Sequence, residues 1–345
     1  MTAQKILPRP PNAPRVRQIL SAAKEARVLV LGDVMLDHFL WGHVDRISPE
    51  APVPVVQFER ESFVPGGAGN VARNLADLEA FVELFGVVGD DESAQQLRRI
   101  LKHGRISCAG LLTCAERVTS IKTRIIAHRQ QVVRVDRESR SYLEEQTTRR
   151  LLAALEKSLH SGDALILGDY AKGVVTQHLL DEVRNLCRGR GVWLSVDPKP
   201  AHHLDLSQVS LLTPNRKEAF ELAGVLDSGH RTPPLKDKGL MRAAEKLLTD
   251  LRPALLLITL GDQGMLLCQR EQPPIHIATA AREVFDVSGA GDTVIATFTL
   301  AIIAGASPYE AAIFSNHAAG IVVGKLGTAT VRAEELLESF RHERT

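Results

Sequence analysis

Ala164-Leu-Ile-Leu-Gly168, then Thr176 to Cys187, then Val192-Trp-Leu-Ser-Val-Asp197, is the stretch from which the fold is read. Two short apolar runs flank a segment with helical spacing. Runs of this kind, without polar alternation, are what strands covered on both faces look like. The rhythm continues outward in both directions. Glu144 to Leu159 reads as a helix ahead of the first run. Val209-Ser-Leu-Leu-Thr213 and Ala254-Leu-Leu-Leu-Ile-Thr259 read as strands with a helix between them. Arg27-Val-Leu-Val-Leu-Gly32 and Glu83-Leu-Phe-Gly-Val-Val-Gly89 read as strands in the first third. Strands alternating with helices build βαβ units, so the expected fold is α/β, with a mostly parallel sheet covered on both faces.

Two stretches break the rhythm. Trp41 to Glu59 carries Pro49, Pro52 and Pro54, which suits edge strands rather than a sheet centre. Thr119 to Asp136 alternates apolar and charged residues with a turn near His128 to Gln131, the period of half-exposed strands. The two are expected to pair as a small sheet over residues 41–60 and 119–136, outside the main core. Asn70 to Leu78 has helical spacing with Asn70 at the N-cap position. Residues 1–20 read as a flexible arm preceding one domain over 21–345, and Gly229 to Lys238 as a loop.

Lys plus Arg (42) nearly equals Asp plus Glu (41), so nothing in the net charge calls for nucleic acid or an anionic membrane as partner. The proline-rich start lacks the apolar core of a signal peptide. The apolar stretch from Val294 to Ala306 is too short to span a bilayer. The four cysteines form no CxxC pair and read as reduced thiols of a soluble cytoplasmic protein.

In such sheets ligands bind at the carboxyl ends of the strands, so the polar residues there are the candidates. Ser288-Gly-Ala-Gly-Asp292 leads into the apolar segment Thr293 to Leu300. Amides of Gly289, Ala290 and Gly291 at a helix start can hold a phosphate, and Asp292 in the first turn can take a proton from an attacking hydroxyl. By spacing alone Asp292 is equally a favourable first-turn carboxylate. Pro65-Gly66-Gly67-Ala-Gly-Asn70 is a second glycine turn that can bring backbone and the Asn70 side chain to a sugar. Gly67 to Ala72 also matches the dinucleotide pattern GxGxxA, but it does not follow the first strand. Gly320 to Leu326 has the wrong spacing for a Walker A loop, which excludes a P-loop kinase. Asp33 and Asp37 can bind hydroxyls or cap turns. Asn215 and Glu218 can organise a hydrated Mg²⁺ or form a capping box.

Taken together these segments resemble the PfkB, or ribokinase-like, carbohydrate kinases from about Arg27 to about Arg332. The match rests on Gly66 to Asn70, on Asp286-Val-Ser-Gly-Ala-Gly-Asp292-Thr, on Asn215-Arg216-Lys217-Glu218 and on Thr259-Leu-Gly261-Asp-Gln-Gly264. The resemblance implies a three-layer α/β/α domain with a small β-sheet lid, often shared across a homodimer, and ATP with Mg²⁺ as cofactors. It makes Asp292 the base and Gly289, Ala290 and Gly291 the anion hole. Asn215, Arg216, Lys217, Glu218, Thr259, Gly261, Gly264 and Asn316 are assigned to the nucleotide, with Glu218 reaching the metal through water. Asp33, Asp37, Gly66, Gly67 and Asn70 are assigned to the sugar. Within the family, Gly32-Asp-Val-Met-Leu-Asp37, Arg46 to Val56, Gly168-Asp-Tyr-Ala-Lys-Gly173 and Val196-Asp-Pro-Lys199 look like the heptose 7-phosphate kinases. These phosphorylate the anomeric hydroxyl of D-glycero-D-manno-heptose 7-phosphate on the way to ADP-heptose for lipopolysaccharide core. The chain end at Thr345 resembles their stand-alone form. A phosphorylated substrate needs cations, and Lys172, Lys199, Arg124 and Arg134 are the candidates.

Overall fold

Val28 and Val30 face one side of the central sheet while Leu29 and Leu31 face the other, and all four are fully buried. Leu255 and Leu257 alternate in the same way with Leu256 and Ile258. This is why the strands read as continuous apolar runs: each side chain has a helix layer to meet. The structure, a computed structural model, describes residues 9–341 apart from 129, 228, 230 and 231. Among these, nine strands form the main sheet in the spatial order Ile275–Ile277, Met265–Gln269, Leu255–Thr259, Leu211–Leu212, Trp193–Asp197, Ala164–Gly168, Arg27–Gly32, Phe81–Val88, Ser107–Thr113. Met265–Gln269 is antiparallel to both of its neighbours, and the remaining pairs are parallel. Helices Ala68–Asp77, Ala290–Ile303 and Pro308–Val322 cover one face, and Glu145–Ser158, Gln177–Arg190 and Lys238–Asp250 the other. The fold is therefore the expected three-layer α/β/α arrangement.

The second sheet has four strands in the order Pro54–Gly67, Val34–Ile47, Ser120–Ala127, Gln130–Arg137. The proline-rich stretch lies at its edge, where a missing N–H costs no ladder bond. Its strands reach further than the sequence period showed. Val34–Ile47 starts two residues after the first core strand, so Asp37 lies on a lid strand and not in a loop. The turn at 128–131 includes residue 129, outside the described residues.

Two local expectations need correction. The arm does not extend to residue 20. Ala13–Ala23 is a helix capped by Asn12, with Val16, Ile19, Leu20 and Ala23 buried and Arg15 paired with Glu310 at 2.7 Å. Its apolar face is spaced at helical intervals and finds a site on the core. Residues 1–8 lie outside the described residues. Asn70 is not an N-cap, because Ala68–Asp77 starts after Gly67 and leaves the Asn70 side chain inside the molecule. Of the 229–238 loop, residues 230 and 231 lie outside the described residues. Pro234–Lys236 makes a turn of 3₁₀ helix, and Asp237 caps Lys238–Asp250.

Candidate active site

Asp292 enters the first turn of Ala290–Ile303 from Gly289, whose φ of +80° lies in the left-handed region that glycine adopts without cost. A Cβ on Gly289 would stand 2.7 Å from Asn70 Nδ2, so a side chain there would press on that amide. That amide donates to Asp292 Oδ2 at 2.7 Å, and the Tyr170 hydroxyl donates to Oδ1 at 2.6 Å. Burial pushes the Asp292 carboxyl up to about 6. The two hydrogen bonds oppose the push and the Asp37 charge adds to it. A carboxylate poised there is ionised at neutral pH yet basic enough to accept a proton. The Ala290 amide of the expected anion hole donates to Val287 O at 3.2 Å, which leaves that amide already used. At Gly291 an added Cβ would meet nothing within 4 Å, so this glycine faces open space.

On the lid side, Asp37 is buried and its Oδ1 accepts from Arg124 at 2.6 Å. Gly66 is pressed against it: an added Cβ would lie 2.7 Å from Asp37 Oδ2. Gly67, with φ +57°, comes equally close to Asp33 O. Asp37 and Gly66 therefore meet, and the Asp37 charge reaches the Asp292 carboxylate that Asn70 holds. Asn70 Oδ1 is buried there with no hydrogen-bond partner among the described residues, an acceptor suited to a ligand hydroxyl. Asp33 does not join them. Its carboxylate accepts the backbone N–H groups of Tyr170, Lys172 and Val174 at 2.8, 3.1 and 3.0 Å, so it fixes the 169–174 loop instead of facing a sugar. Lys172 Nζ lies 2.6 Å from Glu138 at the end of the lid. Arg134 stands opposite Arg124 across the strands but is spent on Asp136 at 2.9 Å and half exposed.

On the other side of Asp292 a cavity of about 390 Å³ is lined by Thr259, Gly261, Gly264, Ala290, Gly291 and Asn316, with Val284, Val287 and Val294 supplying apolar walls. Asn316 Nδ2 donates to Ala278 O at 2.7 Å. Asn215 and Glu218 form the capping box of Arg216–Ala223, and Glu218 also accepts from Lys199 at 3.1 Å. The capping-box reading of that pair is thus met. Arg216 and Lys217 do not reach the cavity. Arg216 is buried, bonded to Asp227 and Asp237 at 2.6 and 2.7 Å, and lies over Phe220. Lys217 is on the exposed face, 3.7 Å from Glu221. The sequence pattern placed them in a motif, but helix periodicity turns consecutive residues in different directions. Among the described residues no three His, Cys, Asp or Glu side chains converge as a metal site.

Tyr170 and Asp197 lie in segments that the sequence singles out at strand ends without giving either residue a role. Burial, with Asp292 and Glu218 nearby, pushes Asp197 well above the usual carboxylate range. Its signal was the position just at a strand end. For Tyr170 the signal was a bulky phenol set in a glycine-bounded loop.

Comparison with known proteins gives first the class. Backbone architecture is that of the ribokinase-like sugar kinases. Arabidopsis thaliana ribokinase complexed with ribose and ATP superposes with a TM-score of 0.70 at 17% identity, over 92% of this chain and 99% of that one. Escherichia coli phosphofructokinase-2 in complex with fructose-6-phosphate gives 0.74 at 21% identity, over 92% and 98%. A family model described as pfkB family carbohydrate kinase matches residues 25–335, and the chain belongs to that family. Among curated proteins it is similar to the "Bifunctional protein HldE" of Caulobacter sp. (strain K31), 46% identical over 313 residues, which is 90% of this chain and 62% of that protein. The protein of the same name from Sulfurimonas denitrificans is 42% identical over 313 residues, 90% of this chain and 64% of that protein. The chain therefore spans less than two thirds of the length of these relatives.

Proposed function

We propose that this sugar kinase transfers the γ-phosphoryl group of ATP to the anomeric O1 of D-glycero-D-manno-heptose 7-phosphate, giving the 1,7-bisphosphate in the cytoplasm for ADP-heptose synthesis. The observation that carries the reading is the position of Asp292. It lies between the apolar cavity and the Asp37–Gly66–Asn70 corner, with each carboxylate oxygen already held. A hydroxyl bound at that corner gives its proton to Asp292 as its oxygen bonds to the γ-phosphorus, and the bond from that phosphorus to ADP breaks. The open face at Gly291 receives the phosphate charge. Asp37 and Asn70 Oδ1 take sugar hydroxyls.

Mg²⁺ suits the oxygen donors of Asp197 and Glu218, which crowd like charge together in a way a cation relieves. When bound it neutralises phosphate charge. Asp197 and Glu218 would hold it, Glu218 through water. For the sugar's own phosphate, Lys172 is the best-placed cation. It sits where the lid meets the core, with its Nζ 2.6 Å from Glu138. The resemblance of Gly32 to Asp37, Arg46 to Val56 and Gly168 to Gly173 to heptose 7-phosphate kinases supports this substrate over other sugars. An ADP-release assay over ribose, fructose 1-phosphate, fructose 6-phosphate, free heptose and heptose 7-phosphate tests it. The expected result is the highest kcat/KM on heptose 7-phosphate. A higher value on any other sugar overturns the substrate assignment.

A further inference from the structure

The Tyr170 hydroxyl is delivered to Asp292 by a loop that spends several unusual features on doing so. Asp33 gives both carboxylate oxygens to the backbone of 170, 172 and 174. Ala171 takes a left-handed φ of +59°, which a side chain adopts only when its surroundings impose it. Glycine lies on both sides of the ring. A Cβ on Gly168 would come 2.9 Å from Tyr170 Cε2, and one on Gly67 would come 3.4 Å from Cδ2. None of these features is needed to fold a strand end.

We propose that Tyr170 is a positioning residue for the base: its phenol fixes the Asp292 carboxylate and keeps it ionised, while Asn70 holds the second oxygen. The proposal rests on the reading of Asp292 as the base. With one donor on each oxygen the carboxylate cannot rotate, so its remaining lone pairs point where the sugar hydroxyl must arrive. Donation to the charged form also lowers the proton affinity of the acid. The groups that face this pair are the carboxylates of Asp37 on the lid strand, Asp197 at the neighbouring core strand end and Asp33 under the loop. All three oppose a second negative charge. Tyr170 itself is pushed well above the usual phenol range by burial and by Asp292, so it remains a donor throughout the working pH range.

The test is the pH dependence of kcat in Tyr170→Phe, which keeps the ring in its glycine seat. In the wild type the acidic limb should have its midpoint at about 6, where Asp292 takes up its proton. Loss of a charge-assisted bond should move that limb upward by about one pH unit. With such a shift the rate falls about fivefold at pH 6 and about twofold at pH 7, and converges on the wild type above about pH 8. KM for both substrates should stay in place. A kcat loss that is equal at every pH, with the limb unmoved, overturns the proposal, because space-filling alone predicts that. If Tyr170→Phe is too unstable to assay, 3-fluorotyrosine at position 170 strengthens the donor and should move the limb downward. No downward movement is then the overturning result. Asp292→Asn separates the two readings. If it stays active, the base assignment fails and Tyr170 falls with it. If it is inactive while the limb is unmoved in Tyr170→Phe, only the role of Tyr170 fails.

Discussion

The Asp292 carboxylate is closed in between Tyr170 and Asn70 beside a sheet buried on both faces, whereas Arg134 and Val133 stand in solvent on Gln130–Arg137, a strand exposed along its length. The two sheets treat polar groups differently. Near the core sheet the buried polar groups are fixed in place. Asp33 ties a loop, Asn70 and Tyr170 hold the acid, and Asp237 receives Arg216. On the lid the charges pair with one another, Arg124 with Asp37 and Lys122 and Arg134 with Asp136. On the proposed function, the group that acts on the reacting atoms is set before any ligand arrives, and the groups that recognise the sugar phosphate are held by charge pairs. Catalytic geometry gains most from being preorganised.

The strongest way to break this contrast is Asp292→Asn. Losing proton acceptance should lower kcat by about a thousandfold, while the Kd for ATP, measured by calorimetry, stays within about twofold. A variant that keeps most of its kcat would make the preset carboxylate a structural feature and remove the distinction.

Next in size is Arg216→Ala. Its guanidinium joins Asp227 to Asp237, and Asp237 is only 4% exposed. Removing one partner of a buried pair leaves the other charged and desolvated, at a cost of about 3 kcal/mol. Denaturant unfolding should show that loss, and KM for ATP should change by no more than about twofold. A large rise in KM with unchanged stability would return Arg216 to the nucleotide site.

Arg216 also shows where sequence reading stops. Strands were legible because apolar runs report burial on both faces, whereas the spacing of Gly289 to Asp292 fitted a plain helix start equally well and only the family resemblance gave it a role. Direction within a motif was not legible. Asn215 to Glu218 is one run of residues, yet Arg216 turns inward to Asp237 and Lys217 outward to Glu221. Asp33 and Asp37 likewise read alike until one proved to hold a loop and the other to face Arg124. Tyr170 lies 122 positions from Asp292, so only the folded sheet could show that they touch.

The smallest effect concerns the lid's outer face. Alternation along the strands puts Asp37, Arg124, Arg134 and Asp136 toward one side. Leu40, Ile125, Val133 and Val135 take the other, with Val133 46% and Val135 55% exposed. The charged side meets the cleft, so the apolar side is left facing away from it. Both edge strands, Pro54–Gly67 and Gln130–Arg137, are also open to pairing. We propose that a second copy of the chain covers this face. Val133→Asp places a charge there without touching the core site. Sedimentation should then show a dimer for the wild type and a monomer for the variant, with kcat/KM reduced about threefold because the lid loses support and the base does not. A wild type that sediments as a monomer, or a variant that remains dimeric, would mean that the exposed valines serve something other than self-association. In that case the lid would be preset within one chain, like the core site.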